Sequence, residues 1–426
     1  MLWQPSLPLR YREMSDEELA AAIRARRTEF GDRLVILGHH YQQDEVIQHA
    51  DFTGDSFRLS QLAADKVKEV GAMYVIFCGV HFMAESADIL TPDEVVVILP
   101  DLSAGCSMAD MADYDQTVQA WEEIHEAIED SPSRGRDGSL TRVIPITYMN
   151  SSAAIKAFVG EHGGAVCTSS NAARVFEWAL AGGEEPLTKG EQVKILFLPD
   201  QHLGRNTAKA AGFITEVDAA KSGKKAQTAL WDPKQESGGL TAKQIRDARV
   251  LLWKGHCSVH MLYRPEHVAE MRRKHKDVTV LVHPEVCQEV VDLADLSGST
   301  EFIIKTIEAA KRGSKWAVAT ETHLVNRIAR EAKGRGVHVE MLSGCQCLCT
   351  TMYRIDQQHL LWVLDSLAED QIVNQVKVHP EAKKWALVAL NRMLELLGKG
   401  SVKAGASRSA GTRARRSRVE PAALMD

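Results

Sequence analysis

The sequence has no long hydrophobic run, no secretory leader pattern and no strong compositional bias. Its longest apolar runs, such as residues 95–99, reach about a quarter of the ~18 residues that cross a bilayer. Residues 1–10 contain a proline-broken apolar stretch without the layout of a signal peptide. With 45% hydrophobic residues, 25% charged residues, 29 Gly and 13 Pro, disordered and collagen-like classes are excluded. We therefore expect a cytoplasmic protein with no membrane partner.

The eight cysteines are the unusual part of this ordinary composition. Thiols stay reduced in the cytoplasm, so their presence favours metal binding or catalysis over a disulfide framework. The length of 426 residues exceeds the ~250–300 at which single hydrophobic cores stop growing. We expect two or three domains.

The charge is unevenly distributed along the chain. The total of 51 basic and 57 acidic residues gives −6, but residues 399–426 hold seven basic and two acidic residues. That segment therefore carries +5 and leaves −11 for the rest, which argues against nucleic acid as the main partner. The tail is rich in Gly, Ser, Ala and Arg and lacks apolar periodicity, so we predict that it is disordered. Contact with RNA or an anionic surface is the alternative.

Short β-branched runs alternate with amphipathic segments. The predicted strands are residues 34–37, 74–77, 95–99, 143–147, 193–198, 250–253, 278–282 and 337–342. Ser15 and Glu18 form a capping-box pattern before a helix over 19–30, and apolar periodicity predicts helices over 60–70 and 302–311. This alternation is typical of parallel α/β units. Residues 131–140 and 221–239 are predicted loops or insertions.

Polar clusters follow the strands one after another. They cover residues 38–41, 100–106, 148–150, 167–171, 199–202, 255–260, 283–285, 320–323 and 344–349. Parallel α/β folds bind ligands at the carboxyl ends of their strands. We expect these clusters to converge on one or more clefts, because helix capping alone would not place His, Cys, Tyr or Glu in so many of them.

Cys106, Cys257 and Cys349 each lie just past a predicted strand. Three thiolates from three α/β units can meet around one metal centre, and thiolates select zinc or iron–sulfur clusters. No Cys-x2-Cys pairs with another, which disfavours a structural zinc site. Cys345, Cys347 and Cys349 have period 2, and we expect one of them to be a ligand. Cys78, Cys167 and Cys287 are predicted to be structural or lining thiols.

Three protein ligands leave one iron of a cubane cluster open. Such an iron can act as a Lewis acid on a hydroxyl or carboxylate, which predicts a dehydration or elimination. An iron–sulfur sensor or electron carrier is an alternative, with Cys345 or Cys347 as a fourth ligand. A zinc-dependent binding or hydrolytic protein that uses the histidine clusters is another.

The strand-end motifs resemble those of quinolinate synthase, the iron–sulfur enzyme family of de novo NAD biosynthesis. They occur in family order over residues 34–355, about three quarters of the chain. The matching segments are LGHHYQ (37–42), GDS (54–56), FCGVHFMAE (77–85), PDLSAGCS (100–107), TYMNS (147–151), CTSSNA (167–172), FLPDQHLG (197–204), WKGHCSVH (253–260), HPE (283–285), GST (298–300) and CTTM (349–352).

The resemblance implies an α/β fold of three similar αβα domains with short parallel sheets around a pseudo-threefold axis, and an active site in the central cavity. The expected domains are 1–110, completed by 350–398; 111–260, with an insertion near 221–239; and 261–349, followed by the tail 399–426. The implied reaction condenses iminoaspartate with dihydroxyacetone phosphate to quinolinate, with loss of phosphate and two waters. The implied cofactor is one 4Fe-4S cluster per chain, and L-aspartate oxidase is the implied functional partner.

Site residues carry over from the matching motifs. The cluster ligands map to Cys106, Cys257 and Cys349, the last chosen because Met352 follows it by three. Substrate-binding positions map to His39, Tyr41, Ser56, Tyr148, Asn150, Ser169, His260, His283, Glu285, Ser299 and Thr300. For catalysis we assign Tyr41, Tyr148, His283 and Glu285, with Glu285 and Tyr41 moving protons. The hydroxyl residues beside helix starts also suit plain N-caps.

Two departures from the family pattern do not touch these positions. Many relatives carry Cys directly after His-Pro-Glu, where this chain has Val286 and then Cys287. Many have Gly-Thr-Glu where this chain reads Ala319-Thr320-Glu321. The oligomeric state is left open by the sequence.

Overall fold

The computed structural model describes residues 4–129, 140–344 and 347–398. Within these ranges the chain is an α/β protein with three short sheets whose strands are parallel, with one antiparallel exception. The predicted fold class is confirmed. All eight predicted strands form, each within two residues of its predicted bounds. Most of the predicted loop 131–140 and all of the predicted tail 399–426 lie outside the described residues.

The first sheet is built from the amino-terminal part of the chain. Its strands follow the order β4-β3-β1-β2, with a late strand, described below, paired to β4. The Ser15–Glu18 capping box forms as predicted, since each side chain accepts a backbone N–H of the other residue. In chain order the elements are α1 (Leu9–Arg12), α2 (Asp16–Phe30), β1 (Leu34–His39), α3 (Asp44–Ile47), β2 (Phe52–Gly54), α4 (Ser56–Val70), β3 (Tyr74–Cys78), α5 (His81–Leu90) and β4 (Val96–Ile98).

The second sheet has the order β6-β5-β7-β9-β8, and all its strands are parallel. Its elements are α6 (Tyr114–Glu129), β5 (Thr141–Tyr148), α7 (Ala153–Glu161), β6 (Ala165–Cys167), α8 (Ala172–Leu180), β7 (Gln192–Leu198), α9 (Gln201–Ala210), α10 (Glu216–Ser222), β8 (Thr228–Trp231), α11 (Ala242–Asp247) and β9 (Val250–Trp253). The prediction of a loop over 221–239 is wrong, because β8 lies inside it. Trp231 is buried beside β9, and this pairing outweighs the turn-forming composition around it.

The third sheet has the order β11-β10-β12-β13 and is also parallel. Its elements are α12 (Pro265–Lys274), β10 (Val278–Val282), α13 (Gln288–Leu293), β11 (Leu296–Ser297), α14 (Thr300–Glu308), β12 (Lys315–Ala319), α15 (Thr322–Gly334) and β13 (His338–Met341). The helix predicted over 302–311 starts two residues earlier and ends at Glu308.

The carboxyl-terminal elements return to the first two sheets. They are α16 (Gln357–Ala368), β14 (Gln375–Val376) and α17 (Pro380–Leu396). β14 pairs antiparallel with β4, α16 packs on α2, and α17 packs on α7. A Cβ at Gly160 of α7 would lie 2.0 Å from the carbonyl oxygen of Trp385, so glycine is required for this close helix contact.

Burial follows the sheets. The first and second sheets share one continuous hydrophobic core, whereas the third sheet has a separate apolar cluster on each of its faces. Along the described ranges, the helices are all too short or too polar to cross a membrane.

Candidate active site

Residues at the carboxyl ends of strands from all three sheets line one cavity. His39 ends β1, Tyr148 ends β5, and Glu285 follows β10. The convergence predicted from the polar clusters is therefore present. Twelve of the fourteen predicted site residues line the cavity: His39, Tyr41, Ser56, Cys106, Tyr148, Asn150, Ser169, Cys257, His283, Glu285, Thr300 and Cys349.

His260 and Ser299 are the two predicted residues that lie behind the cavity wall. His260 is buried and places Nδ1 2.6 Å from Glu285 Oε2. Ser299 is the N-cap of α14, where its hydroxyl accepts a hydrogen bond from the Phe302 N–H at 3.3 Å. The structure thus places His260 against a lining carboxylate and gives Ser299 a capping role.

Glu285 is a buried carboxylate held between two imidazoles. Its Oε2 lies 2.6 Å from His260 Nδ1 and 3.7 Å from His283 Nδ1, and the two imidazole rings stack with centroids 4.6 Å apart. Burial by itself would raise the pKa of Glu285, but the two histidines and a hydrogen bond from Tyr148 lower it to about 2. Burial lowers the pKa of His283 to about 3. At neutral pH the site therefore holds a charged carboxylate beside a neutral His283.

Two tyrosines, the half-buried Tyr41 and the buried Tyr148, are linked to this carboxylate. Burial and the charge of Glu285 raise the pKa values of Tyr41 and Tyr148, so both phenols keep their protons at neutral pH. The Tyr41 hydroxyl lies 3.0 Å from Thr320 Oγ1, which in turn lies 3.3 Å from His260 Nε2. A chain of polar atoms therefore runs from Tyr41 through Thr320 and His260 to Glu285.

Thr320 was not assigned a role from the sequence, although it belongs to one of the strand-end clusters. It is fully buried directly after β12, and its hydroxyl contacts both Tyr41 and His260. The feature of the sequence that could have indicated a role for Thr320 is its position directly after a strand. Its two contacts arise from tertiary structure, because Tyr41 and His260 are 279 and 60 residues away in sequence.

Three thiols share the same cavity. Burial raises the pKa of Cys106 to about 12 and also raises the pKa values of Cys257 and Cys349. The mutual charge interactions of the three thiolates would raise the pKa values of Cys106 and Cys257 further. Three half-buried thiols that line one cavity suit a cationic metal group, because coordination deprotonates a thiol and satisfies its charge.

A second set of donors lies in the same wall. One ligand atom each from Cys257, His260 and Glu285 fall within 4.8 Å of one another. His260 Nε2 lies 3.3 Å from Thr320 Oγ1, whereas Nδ1 lies 2.6 Å from Glu285 Oε2 without the direction of a hydrogen bond. The cavity thus has cysteine, histidine and glutamate groups that could bind a metal.

The remaining described cysteines lie elsewhere. Cys78 and Cys167 are buried within β3 and β6, Cys287 is half-buried before α13, and none of them lines the cavity. Cys347 is buried in the apolar cluster on one face of the third sheet, which also contains Tyr263. Cys345 lies outside the described residues. No disulfide joins the seven cysteines of the described ranges.

Helix starts and hydroxyls also line the cavity. Ser56 is the first residue of α4, and Thr300 is the first residue of α14. Backbone N–H groups and the helix dipole make such positions favourable for anions. Among the described residues, no lysine or arginine lines the cavity. Lys156 is fully buried and lies close to the wall, with Nζ 5.3 Å from the ring centre of the lining residue Phe82.

Comparison with known sequences decides the family. The profile of the family described as NadA, quinolinate synthetase A protein, matches residues 21–395. Quinolinate synthase of Acidobacterium capsulatum is 51% identical over 388 residues, which cover 91% of this chain and 95% of the relative. This chain belongs to the quinolinate synthase family.

Other quinolinate synthases match over the same extent. That of Rhodopirellula baltica is 48% identical over 395 residues, covering 90% of this chain and 92% of the relative. That of Streptomyces coelicolor is 49% identical over 382 residues, which cover 90% of this chain and 89% of the relative. The match to the quinolinate synthase family includes every predicted site residue, and the basic tail lies beyond it. The two departures fall beside the site, where Val286 is buried in the third sheet's cluster and Ala319 ends β12.

Proposed function

We propose that this chain condenses iminoaspartate with dihydroxyacetone phosphate to give quinolinate, phosphate and two waters. The observation that carries this proposal is one cavity lined by three half-buried thiols and by Glu285 and Tyr41, which are linked through His260 and Thr320. Family membership supports the same activity, which serves de novo NAD biosynthesis. L-aspartate oxidase, as a source of iminoaspartate, and a cytoplasmic location belong to the same proposal.

Cys106, Cys257 and Cys349 would hold one 4Fe-4S cluster per chain. Three cysteine ligands leave one iron of such a cluster without a protein ligand, so the cluster supplies an electrophile for a substrate hydroxyl or carboxylate. Support for this ligand set comes from the lining of the cavity, since the four other described cysteines point elsewhere.

The walls are suited to two anionic substrates. Ser56 and Thr300 present hydroxyls at the starts of α4 and α14, and Ser169 and Asn150 add polar groups from the second sheet. His39 is fully buried, and burial lowers its pKa, so it acts as a neutral hydrogen-bonding group. In our proposal these residues bind the phosphate and carboxylate groups with hydrogen bonds, since the part of the chain that the structure describes has no lysine or arginine in the lining.

Proton transfers fall to the buried network. Glu285 is charged at neutral pH and can accept a proton, whereas Tyr41 and Tyr148 keep theirs and can donate. Because Thr320 and His260 connect Tyr41 to Glu285, a proton given up at one end can be replaced from the other. His283 stays neutral beside Glu285 and helps to fix the orientation of the carboxylate.

The domain arrangement is part of this proposal. Each of the three sheets would form one αβα domain, with bounds 1–110 plus 350–398, 111–260 and 261–349. Each domain would then contribute one cysteine ligand, together with the loop around it, to the shared cavity.

Anaerobic turnover with the two substrates, read out as quinolinate, tests the activity. Iron and sulfide analysis of anaerobically purified protein tests the cofactor, and about four irons with matching sulfide are expected for a 4Fe-4S cluster. The Cys257–His260–Glu285 group makes a zinc-dependent hydrolase the second candidate. Zinc without sulfide, together with no quinolinate formed, would favour that candidate. A cluster without turnover would favour a sensor or electron carrier.

A further inference from the structure

A second group of metal-ligating side chains lies at the amino end of the third sheet, away from the cavity. His275 follows α12, while His338 and Glu340 lie on β13, the edge strand of that sheet. One ligand atom from each of the three residues lies within 4.8 Å of the others. His338 and Glu340 are two residues apart on one strand, so their side chains leave the same face of the sheet.

The separations suit a small tetrahedral ion. His338 Nε2 lies 3.4 Å from Glu340 Oε1, and His275 Nε2 lies 2.6 Å from the same oxygen. Zinc bonds of ~2.0–2.1 Å in a tetrahedron place ligand atoms about 3.3 Å apart. The first distance already matches, and the second requires only a small rotation of the Glu340 carboxylate.

Hydrogen bonding accounts for only part of the arrangement, since His338 Nε2 is paired with Glu340 Oε1 at 3.4 Å, near the limit of a hydrogen bond. His275 Nε2 is buried and has no hydrogen-bond partner, although Glu340 Oε1 is 2.6 Å away, because the contact lies off the direction of a hydrogen bond. The two imidazole rings are 5.6 Å apart at 63°, so they are not stacked. An unpaired ring nitrogen beside a carboxylate oxygen is the arrangement expected around a shared cation.

A lysine competes for the carboxylate. Lys274 Nζ lies 2.5 Å from Glu340 Oε2, and its side chain is 57% exposed. Exposed pairs of this kind contribute ~0–1 kcal/mol, so a divalent ion can displace the ammonium at little cost. The His338 side chain is 55% exposed, which leaves room for water as a fourth ligand.

We propose that His275, His338 and Glu340 bind a divalent transition-metal ion of the zinc class. Two imidazoles and one carboxylate are a donor set that zinc accepts, with a water in the remaining position. The ion would fasten the end of α12 to the edge strand β13. The site is independent of the cluster and of the proposed activity, because its residues lie at the opposite end of the strands from the cavity.

Zinc binding to the cluster-loaded protein tests the proposal. We would dialyse anaerobically reconstituted protein against micromolar Zn²⁺ and measure zinc and iron per chain by elemental analysis. The wild-type protein should retain one zinc that His338→Gln and Glu340→Gln lose, with iron unchanged. Removing a direct ligand should weaken binding at least 10-fold, since even an outer-shell partner is worth ~10–100-fold.

Two matched variants sharpen the result. Lys274→Gln removes the competing ammonium and should bind zinc more tightly than the wild type. His379→Asn changes an exposed histidine before α17 and should bind as the wild type does. Equal zinc retention by the wild type, His338→Gln and Glu340→Gln would overturn the proposal, as would weaker binding by Lys274→Gln.

Discussion

His260 Nδ1 lies 2.6 Å from Glu285 Oε2, and both side chains are buried. The histidine follows a strand of the second sheet and the glutamate follows a strand of the third, so the pair forms only when the two sheets are assembled. A carboxylate fixed in this way is charged and oriented before substrate arrives, which reduces the reorganisation needed during proton transfer.

Replacement of this carboxylate should stop catalysis without loss of the metal group. Glu285→Gln keeps the shape but removes the charge and the proton acceptor, so we expect kcat to fall ~10²–10⁴-fold. The visible spectrum and the iron content should stay as in the wild type. Glu270→Gln, on the exposed face of α12, is the control. Unchanged turnover in Glu285→Gln would remove this residue from the mechanism.

The hydroxyl of Thr320 should matter for rate more than for binding. Thr320→Val keeps the volume but breaks the link between Tyr41 and His260, and the loss of such buried hydrogen bonds costs ~1–3 kcal/mol. We expect kcat to fall about 10–100-fold with KM little changed, and Thr320→Ser to restore most of the rate. A variant that changes only KM would place Thr320 in substrate binding instead.

The three cysteines of the triplet should differ in whether their mutation removes the cluster. Cys345→Ser with Cys347→Ser should leave about four irons per chain, since Cys347 lies in the core of the third sheet. Cys349→Ser should lose the cluster. Iron and sulfide analysis after anaerobic purification separates these outcomes. Loss of iron in the double variant would show that the ligand was assigned to the wrong residue of the triplet.

A buried lysine far from the cavity should make stability depend on pH. Burial and the nearby Arg249 lower the pKa of Lys194 to about 8, below its usual 10.5. Between these values the unfolded chain binds more protons than the folded one, so the stability contributed by this group rises with pH, by about 3 kcal/mol in total. Relative to Lys194→Met, the wild-type Tm should therefore increase from pH 8 to pH 10.

The control for this experiment is Lys243→Met, whose side chain is 76% exposed. Its Tm should follow that of the wild type across the same pH range. A difference between Lys194→Met and the wild type that does not change with pH would contradict the lowered pKa of Lys194.

The contact between α7 and α17 should tolerate no side chain at residue 160. In Gly160→Ala the new Cβ would overlap the carbonyl of Trp385, so the helices must separate, at a cost of ~1–3 kcal/mol. Gly334→Ala, at the end of α15 with no atom within 4 Å of the new Cβ, is the matched control and should be neutral or stabilising. Calorimetric Tm values that fall equally in both variants would argue against the close contact.

Strands with a strong pattern of their own could be predicted, and strands defined by their partners could not. Residues 250–253 and 278–282 are β-branched or apolar runs, and they form strands with the predicted bounds. β14 has two residues and exists because it pairs with β4, some 280 residues earlier in the chain. The lysine and glycine residues on both sides of β8 favour a loop in the sequence pattern. The segment forms a strand because it pairs with β9 and buries Trp231 there.

For the cavity, too, the positions of residues in strands could be predicted, whereas contacts that depend on the tertiary structure could not. The strand-end positions of His39, Tyr148 and Glu285 could be read from sequence, because the ends of parallel strands meet at one edge. Ser56 and Ser299 look equivalent in sequence, since each stands at a helix start. In the structure Ser56 is the first helical residue and lines the cavity, whereas Ser299 is the N-cap and bonds to its own helix.

The carboxyl-terminal return of the chain has a consequence for biosynthesis on the ribosome. β14 completes the first sheet, and α17 covers α7 beside the second sheet. Until residue 396 has been translated, the strand edge at β4 or the surface of α7 therefore stays exposed. Exposed apolar surface and open strand edges promote aggregation during synthesis. The nascent chain therefore has its greatest need for chaperones late, and a chain that ends between residues 350 and 380 should be cleared by proteases even though every predicted site residue is present.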